Sequence, residues 1–140
     1  MEVTLHNRST EISLVHQALD AFASQHSLSV PRLNKLHLAI EEHLTNIIAY
    51  AYDPGQAGTI RVRFALAAPA LSVEIEDDGH PYNPMEAPEV DTSLPLDKKP
   101  LGGLGVHLIR KNADELSYAR REGRNILTLM SRVTPVGLTK

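Results

Sequence analysis

The sequence predicts an α+β fold, a two-layer sandwich with helices on one face of a mixed, mostly antiparallel sheet, and three observations point to it. The apolar periods run in the order β-α-α-β-β-loop-α-β-β, so strands come in hairpins. Residues 59–67 and 71–77 each alternate apolar and polar side chains, as a strand with one wet face does. The regular βα alternation of a doubly wound parallel sheet is missing. At 140 residues the chain has the size of one domain, 1–140, and can bury a substantial core without staples.

Val3 and Leu5 mark a short first strand. Ser9-Thr10 supply a helix start, and Leu14, Val15, Ala18, Leu19 and Phe22 then recur at helical spacing to about His26-Ser27. Ser29-Val30-Pro31 is a second start, with proline suited to the first turn. Leu33, Leu36, Ile40, Leu44, Ile47 and Ile48 carry that helix to about Tyr52, and Asp53-Pro54-Gly55 ends it. In the first hairpin strand Ile60, Val62, Phe64 and Leu66 oppose Arg61 and Arg63. In the second, Leu71, Val73 and Ile75 oppose Ser72, Glu74 and Glu76, with Ala68-Pro69-Ala70 as the turn. Five of the nine prolines fall between Gly79 and Pro100, where no apolar period survives. A loop that long in a compact domain is often functional, and a lid over about 84–101 is expected. Gly102 onward reads as a helix through Asn112. Residues 115–119 and 125–133 read as two strands, and 134–140 as a loose tail.

Composition narrows the function. Cysteine is absent, so disulfides and thiolate metal sites are excluded and a reducing, cytoplasmic setting is expected. No basic stretch followed by an apolar run marks Met1 to His6 as a signal peptide, and no segment approaches the roughly 20 apolar residues that span a bilayer. Net charge is −3 with no block of Lys or Arg, which argues against nucleic acid and anionic membrane as partners.

Three patches carry chemistry. Glu42 and Asn46 stand four apart, on one side of a helix. An amide oxygen there is a hard, neutral ligand suited to Mg²⁺, and the carboxylate one turn earlier can take a proton from an attacking hydroxyl. Taken alone, such a pair is usually a solvated helix face. Asp77 closes an alternating strand before Asp78-Gly79, where a carboxylate can accept from the exocyclic amine of adenine and Gly79 leaves room for a ring. Taken alone, Asp-Gly is an ordinary turn. Asp78 faces the other way along the strand. Gly102-Gly103-Leu104-Gly105 precedes Val106, Leu108 and Ile109; glycines at a helix N-terminus offer free N–H groups to phosphate. Neither a P-loop nor a dinucleotide fingerprint is present. His43 and His107 sit in no metal-ligand pair.

In this order and spacing, the patches resemble the gyrase, Hsp90, histidine-kinase and MutL ATPase superfamily. Glu42-His43-Leu44-Thr45-Asn46 looks like its N box, and Asp77-Asp78-Gly79-His80-Pro81-Tyr82-Asn83-Pro84 like its G1 box with Pro81 in place of a glycine. Gly102 to Ile109 looks like its G2 box. The short chain, with Asp114 to Tyr118 and Asn125 to Leu129 near its end, is similar to bacterial anti-sigma-factor serine kinases over roughly Val3 to Val133.

The resemblance implies ATP and Mg²⁺ as cofactors and assigns roles by position. Glu42 would be catalytic and Asn46 the metal ligand. Asp77, Gly79 and Pro81 would border adenine, joined by Thr128 on the last strand. Gly102, Gly103, Leu104, Gly105 and Val106 would line the phosphates. Leu101 lies where some of these kinases carry an arginine, which leaves the source of phosphate charge open, with Lys98, Lys99 and Arg110 as the candidates to substitute. The implied activity is ATP-dependent phosphorylation of a Ser or Thr on a small anti-sigma-antagonist protein of STAS type. The implied partners are a sigma factor and a second copy of the chain. A nucleotide-binding switch that transfers no phosphate is the alternative, favoured by Leu101 and disfavoured by Glu42. A slow ATPase would need a further domain to close its lid.

Overall fold

The computed structural model describes residues 1–28, 30–86 and 109–133, with Val30 described by its backbone alone. The glycine loop at 102–106, Lys98, Lys99, Leu101, the lid from 87 onward and the tail at 134–140 therefore lie outside the described residues.

Strand β1 (Glu2–His6) leads into α1 (Ile12–Gln25) and α2 (Val30–Tyr50), followed by β2 (Thr59–Ala67), β3 (Ala70–Asp77), β4 (Glu115–Arg121) and β5 (Arg124–Arg132). The five strands form one sheet in the order β1-β2-β3-β5-β4. Every neighbouring pair is antiparallel, so the described sheet carries no parallel member. The expected α+β sandwich is present. The start of α1 differs from the expected cap: Ser9–Glu11 form a 3₁₀ turn, and no side chain caps it. Instead, Glu11 reaches back to accept the His6 N–H at 3.0 Å, which ties the helix start to β1. Residues 109–111 are helical, the described end of the helix expected from Gly102.

The two-residue turns follow local chemistry. Glu122 and Gly123 both take positive φ, 53° and 76°, the left-handed pair that a tight β-hairpin needs. Ala68-Pro69 connects β2 to β3.

Both helices cover one face of the sheet. Val15, Leu19 and Phe22 of α1 and Leu36, Ile40, Leu44 and Ile47 of α2 are buried against Ile60, Val62, Leu71, Val73, Ile75, Leu127 and Leu129. Each such side chain contributes about 1.5–3 kcal/mol on burial. On their wet side the helices are also tied by polar contacts. His16 Nδ1 and His37 Nδ1 lie 2.7 Å apart, while His16 Nε2 meets Glu41 at 2.7 Å and His37 Nε2 meets Asp20 at 2.8 Å. The opposite face of the sheet is polar. There Arg63 pairs with Glu2 and Glu74 at 2.7 Å, and Arg124 with Glu76 at 3.1 Å. Among the described residues no helix is long and apolar enough to cross a membrane.

Candidate functional site

Asp77 is the last residue of β3 and shares the phase of Leu71, Val73 and Ile75. Strand alternation therefore turns its carboxylate to the helix-covered side, where the sheet ends, and it is only 2% exposed. Its Oδ1 accepts from the Gly79 N–H at 3.0 Å and from Asn125 Nδ2 at 2.9 Å. Oδ2 has no bond to any described residue. Burial pushes the Asp77 pKa above the ordinary carboxylate value, against the pull of those two hydrogen bonds and of Arg120. The result is an acceptor fixed in orientation, with one oxygen committed and the other available to a ligand N–H.

Asp78 turns the opposite way. Its Oδ1 accepts from the Tyr52 hydroxyl at 2.7 Å and from the Thr59 N–H at 3.0 Å, tying the end of α2 to the start of β2. Burial, then this bond, raises the Tyr52 pKa. Two adjacent carboxylates thus have separate tasks, set by the two-residue period of the strand.

Asn125 organises the strand side, and the sequence reading missed it. It opens β5 opposite Asp77 and is 3% exposed. Its Nδ2 donates to Asp77 and, at 2.7 Å, to the His80 carbonyl. Its Oδ1 accepts from the Tyr82 N–H at 3.1 Å, the Tyr118 hydroxyl at 2.5 Å and Arg120 at 3.1 Å. Arg120 also donates to the Gly79 carbonyl at 2.8 Å. Thr128, expected beside adenine, is not part of this group. It pairs in register with Glu74 and Ser117, out of phase with buried Leu127 and Leu129, and so stands on the face away from the helices. The signal was in the sequence: residue 125 shares the phase of Leu127 and Leu129, and residue 128 does not.

Gly79 has a different use from the one expected. A Cβ there would stand 2.4 Å from the Ala51 carbonyl oxygen, so the room it leaves on that side is taken by the end of α2. The next residue, His80, donates its N–H to the same carbonyl at 2.7 Å. The close approach docks the loop after β3 onto α2. Pro81 follows on the surface, and Tyr82 turns its ring inward to stack on His43, centroids 6.4 Å apart and planes 18° apart.

On α2, Glu42 is half-buried and makes no bond to a described residue. One residue on, His43 is 2% exposed; Asn46, three further, is 6% exposed. His43 Nδ1 and Asn46 Nδ2 are buried with no hydrogen-bond partner among the described residues. Leaving such a group unsatisfied costs about 1–3 kcal/mol, and native proteins keep few of them. Burial also drives the His43 pKa down to about 3, so its ring is neutral. Two orphaned polar groups within one turn fit a helix face built to meet a polar ligand. Among the described residues no three or more His, Asp or Glu are grouped to hold a metal ion, so a cation here would rest on the Asn46 amide and on the ligand's own oxygens.

Arg110, offered as a source of phosphate charge, donates to the Met85 carbonyl at 2.7 Å. A cleft of about 410 Å³ lies elsewhere, between His6–Arg8, Tyr52 and Asp53–Ala57. Neither Asn46 nor Asp77 lines it.

Comparison with known proteins agrees with the fold. The histidine kinase-like ATPase domain family matches residues 5–131. The serine/threonine-protein kinase BtrW of Bordetella bronchiseptica is 36% identical over 100 residues, covering 71% of this chain and 70% of that protein. The serine-protein kinase RsbW of Bacillus mycoides is 23% identical over 131 residues, covering 91% of this chain and 81% of that protein. Among solved structures, the histidine kinase domain of the Erythrobacter litoralis EL346 blue-light activated histidine kinase is similar with a TM-score of 0.57. At 17% identity that likeness concerns the fold alone. It covers 89% of this chain, which spans 60% of that chain's length.

Proposed function

The chain belongs to the histidine kinase-like ATPase domain family, and from that premise we propose that it is an ATP- and Mg²⁺-dependent protein serine/threonine kinase of the anti-sigma-factor type. The observation that carries the reading is Asp77: a buried carboxylate with Oδ1 held by two protein donors and Oδ2 left for a ligand amine. Adenine presents such an amine. The kinase names of the similar Bordetella and Bacillus proteins support phosphoryl transfer to a hydroxyl.

Each residue then has a task. Asp77 Oδ2 accepts from the adenine amine, and Asn125, through Asp77 and the Tyr82 N–H, holds the edge of that pocket in place. Gly103 and Gly105, with Gly102, Leu104 and Val106 around them, offer backbone N–H groups to the phosphates. Asn46 holds Mg²⁺ through its amide oxygen; when bound, that ion neutralises charge on the phosphate oxygens. Glu42 accepts the proton of the substrate Ser or Thr hydroxyl as its oxygen bonds to the γ-phosphorus and the bond to the β-phosphate oxygen breaks, releasing ADP. Most of the catalysis in such a transfer is positioning and electrostatics, which suits a small domain with few charged groups at the site. The substrate is a small antagonist protein of STAS type. A sigma factor is the second partner, the working form is a homodimer, and the setting is the cytoplasm.

Titration calorimetry with ATP, with and without Mg²⁺, tests the reading on wild type, Asp77→Asn and Asn46→Ala. Binding that is lost in Asp77→Asn, with Mg²⁺ dependence lost in Asn46→Ala, is the expected result. Wild-type protein that binds no nucleotide removes the proposal. Nucleotide binding without transfer to any antagonist would leave the switch reading in its place.

A further inference from the structure

We propose that His43 is a positioning residue for Asn46: its Nδ1 accepts a hydrogen bond from Asn46 Nδ2 and so turns the amide oxygen toward the bound metal. The inference rests on the nucleotide reading of the site and assigns a role that the three sequence patches do not.

Among the described residues these are the buried side-chain polar atoms left without a partner, and they are complementary. An amide nitrogen only donates; the unprotonated nitrogen of a neutral imidazole only accepts. They sit three residues apart on α2. At that spacing Cβ atoms are about 5–6 Å apart, so pairing them takes side-chain rotation and no movement of the helix. His43 is 2% exposed, so water does not compete for its Nδ1. The stacked ring of Tyr82 restrains the plane of the imidazole.

The need for such a residue comes from the amide itself. Its oxygen and nitrogen ends are nearly the same size, and only the oxygen is a ligand for a hard cation. Packing alone does not tell them apart. A buried acceptor beside the nitrogen end does, in the way that partners behind a metal ligand orient it and set its affinity.

Substitutions at His43 separate this role from plain packing. The amide oxygen of Asn occupies the place of imidazole Nδ1, whereas that of Gln reaches the place of Nε2. Calorimetry of the full chain with ATP in Mg²⁺ and with ATP in a chelator provides the readout. Expected is a loss of about tenfold or more in Mg²⁺-supported affinity for His43→Phe and His43→Gln, with metal-free affinity within about twofold. His43→Asn should keep the Mg²⁺ effect. If His43→Phe does not fold, His43→Gln against His43→Asn makes the same comparison. Variants that all bind Mg²⁺·ATP like wild type would overturn the inference, as would losses that are equal with and without metal. Wild-type protein that binds nucleotide but gains nothing from Mg²⁺ would overturn it too. A wild type that binds no nucleotide at all would instead remove the nucleotide reading, and this inference with it.

Discussion

On the strand side of the site, Asp77 and Asn125 share a network of bonds to Gly79, His80, Tyr82, Tyr118 and Arg120. On the helix side, one turn of α2 buries two polar atoms that bond to no described residue. Tyr82 joins the two sides, its N–H on Asn125 and its ring over His43. The difference teaches how a small domain divides a binding task. The strand side is organised before anything binds, so an acceptor of fixed direction is ready and little ordering cost remains. The helix side is left unsatisfied, so its two polar atoms are still free to pair when a ligand takes the Asn46 amide oxygen.

The largest expected effect belongs to the helix side and concerns chemistry rather than binding. Glu42→Gln removes a half-buried carboxylate that bonds to no described residue. Phosphotransfer to an acceptor protein should slow by about 10²–10⁴-fold, while calorimetric affinity for Mg²⁺·ATP stays within about twofold, since Gln keeps the shape and changes only the proton acceptor. Transfer at the wild-type rate would take the α2 face out of the chemistry.

The strand side should fail in the opposite manner. In Asp77→Asn the two protein donors, Gly79 N–H and Asn125 Nδ2, keep the amide oxygen at the Oδ1 position. The amide nitrogen then stands at Oδ2, a donor facing a ligand donor, and nucleotide affinity should drop by about 100-fold. Stability should not drop with it. Burial raises the folded Asp77 pKa, so its contribution is favourable below the unfolded value of 3.8 and is lost as pH rises through the folded value. The neutral variant should therefore be as stable as wild type at pH 7, or more so. That advantage should shrink as pH falls towards the carboxylate range, as thermal melts at several pH values would register. A less stable variant at pH 7 would mean that the network needs the charge.

How much of this was legible in the sequence depended on which period carried the signal. The helical stripes and the strict alternation of 59–67 and 71–77 fixed the layers, because burial on one face leaves a regular trace. Asp77 was readable for the same reason, being in phase with Ile75. Thr128 was assigned against its own strand period, and Asn125 was overlooked because a polar residue beside a turn looks like turn chemistry. The role of Gly79 was hidden for another reason. Its neighbour, the Ala51 carbonyl, is 28 positions away in the chain, and nothing local announces it. The orphaned pair on α2 was half visible: His43 falls in the buried stripe between Ile40 and Ile47, but only packing shows that its Nδ1 meets nothing.

A smaller effect sharpens the contrast through pH. His43 has a folded pKa of about 3 against 6.5 for an exposed histidine. Below pH 6.5 the unfolded chain takes up a proton that the folded one refuses, so stability from this residue is present above 6.5 and is lost as pH falls. The slope is about 1.4 kcal/mol per pH unit. Denaturant unfolding of wild type and His43→Asn between pH 7.5 and 4.5, as a difference curve, should show wild type losing ground to the variant across that interval. A flat difference would mean that His43 gains solvent or a partner in the folded protein.

The smallest effect is expected on the polar face of the sheet, and it is the control for both sides of the site. Arg63 there bonds to Glu2, Glu74 and Glu76, more ionic partners than any residue at the site has. Yet these groups are partly exposed, water competes for each of them, and an exposed pair is worth about 0–1 kcal/mol. Arg63→Gln should cost no more than about 1 kcal/mol in unfolding free energy, with a loss that fades in 1 M salt because screening weakens what little the pairs supply. Affinity for Mg²⁺·ATP should be unchanged, since the sheet separates Arg63 from the face that bears Asp77. A binding defect in Arg63→Gln would show that the two faces are coupled through β3, where Glu74 and Glu76 alternate with Ile75 and Asp77. The number of bonds a residue makes would then say less about the site than the strand that carries it.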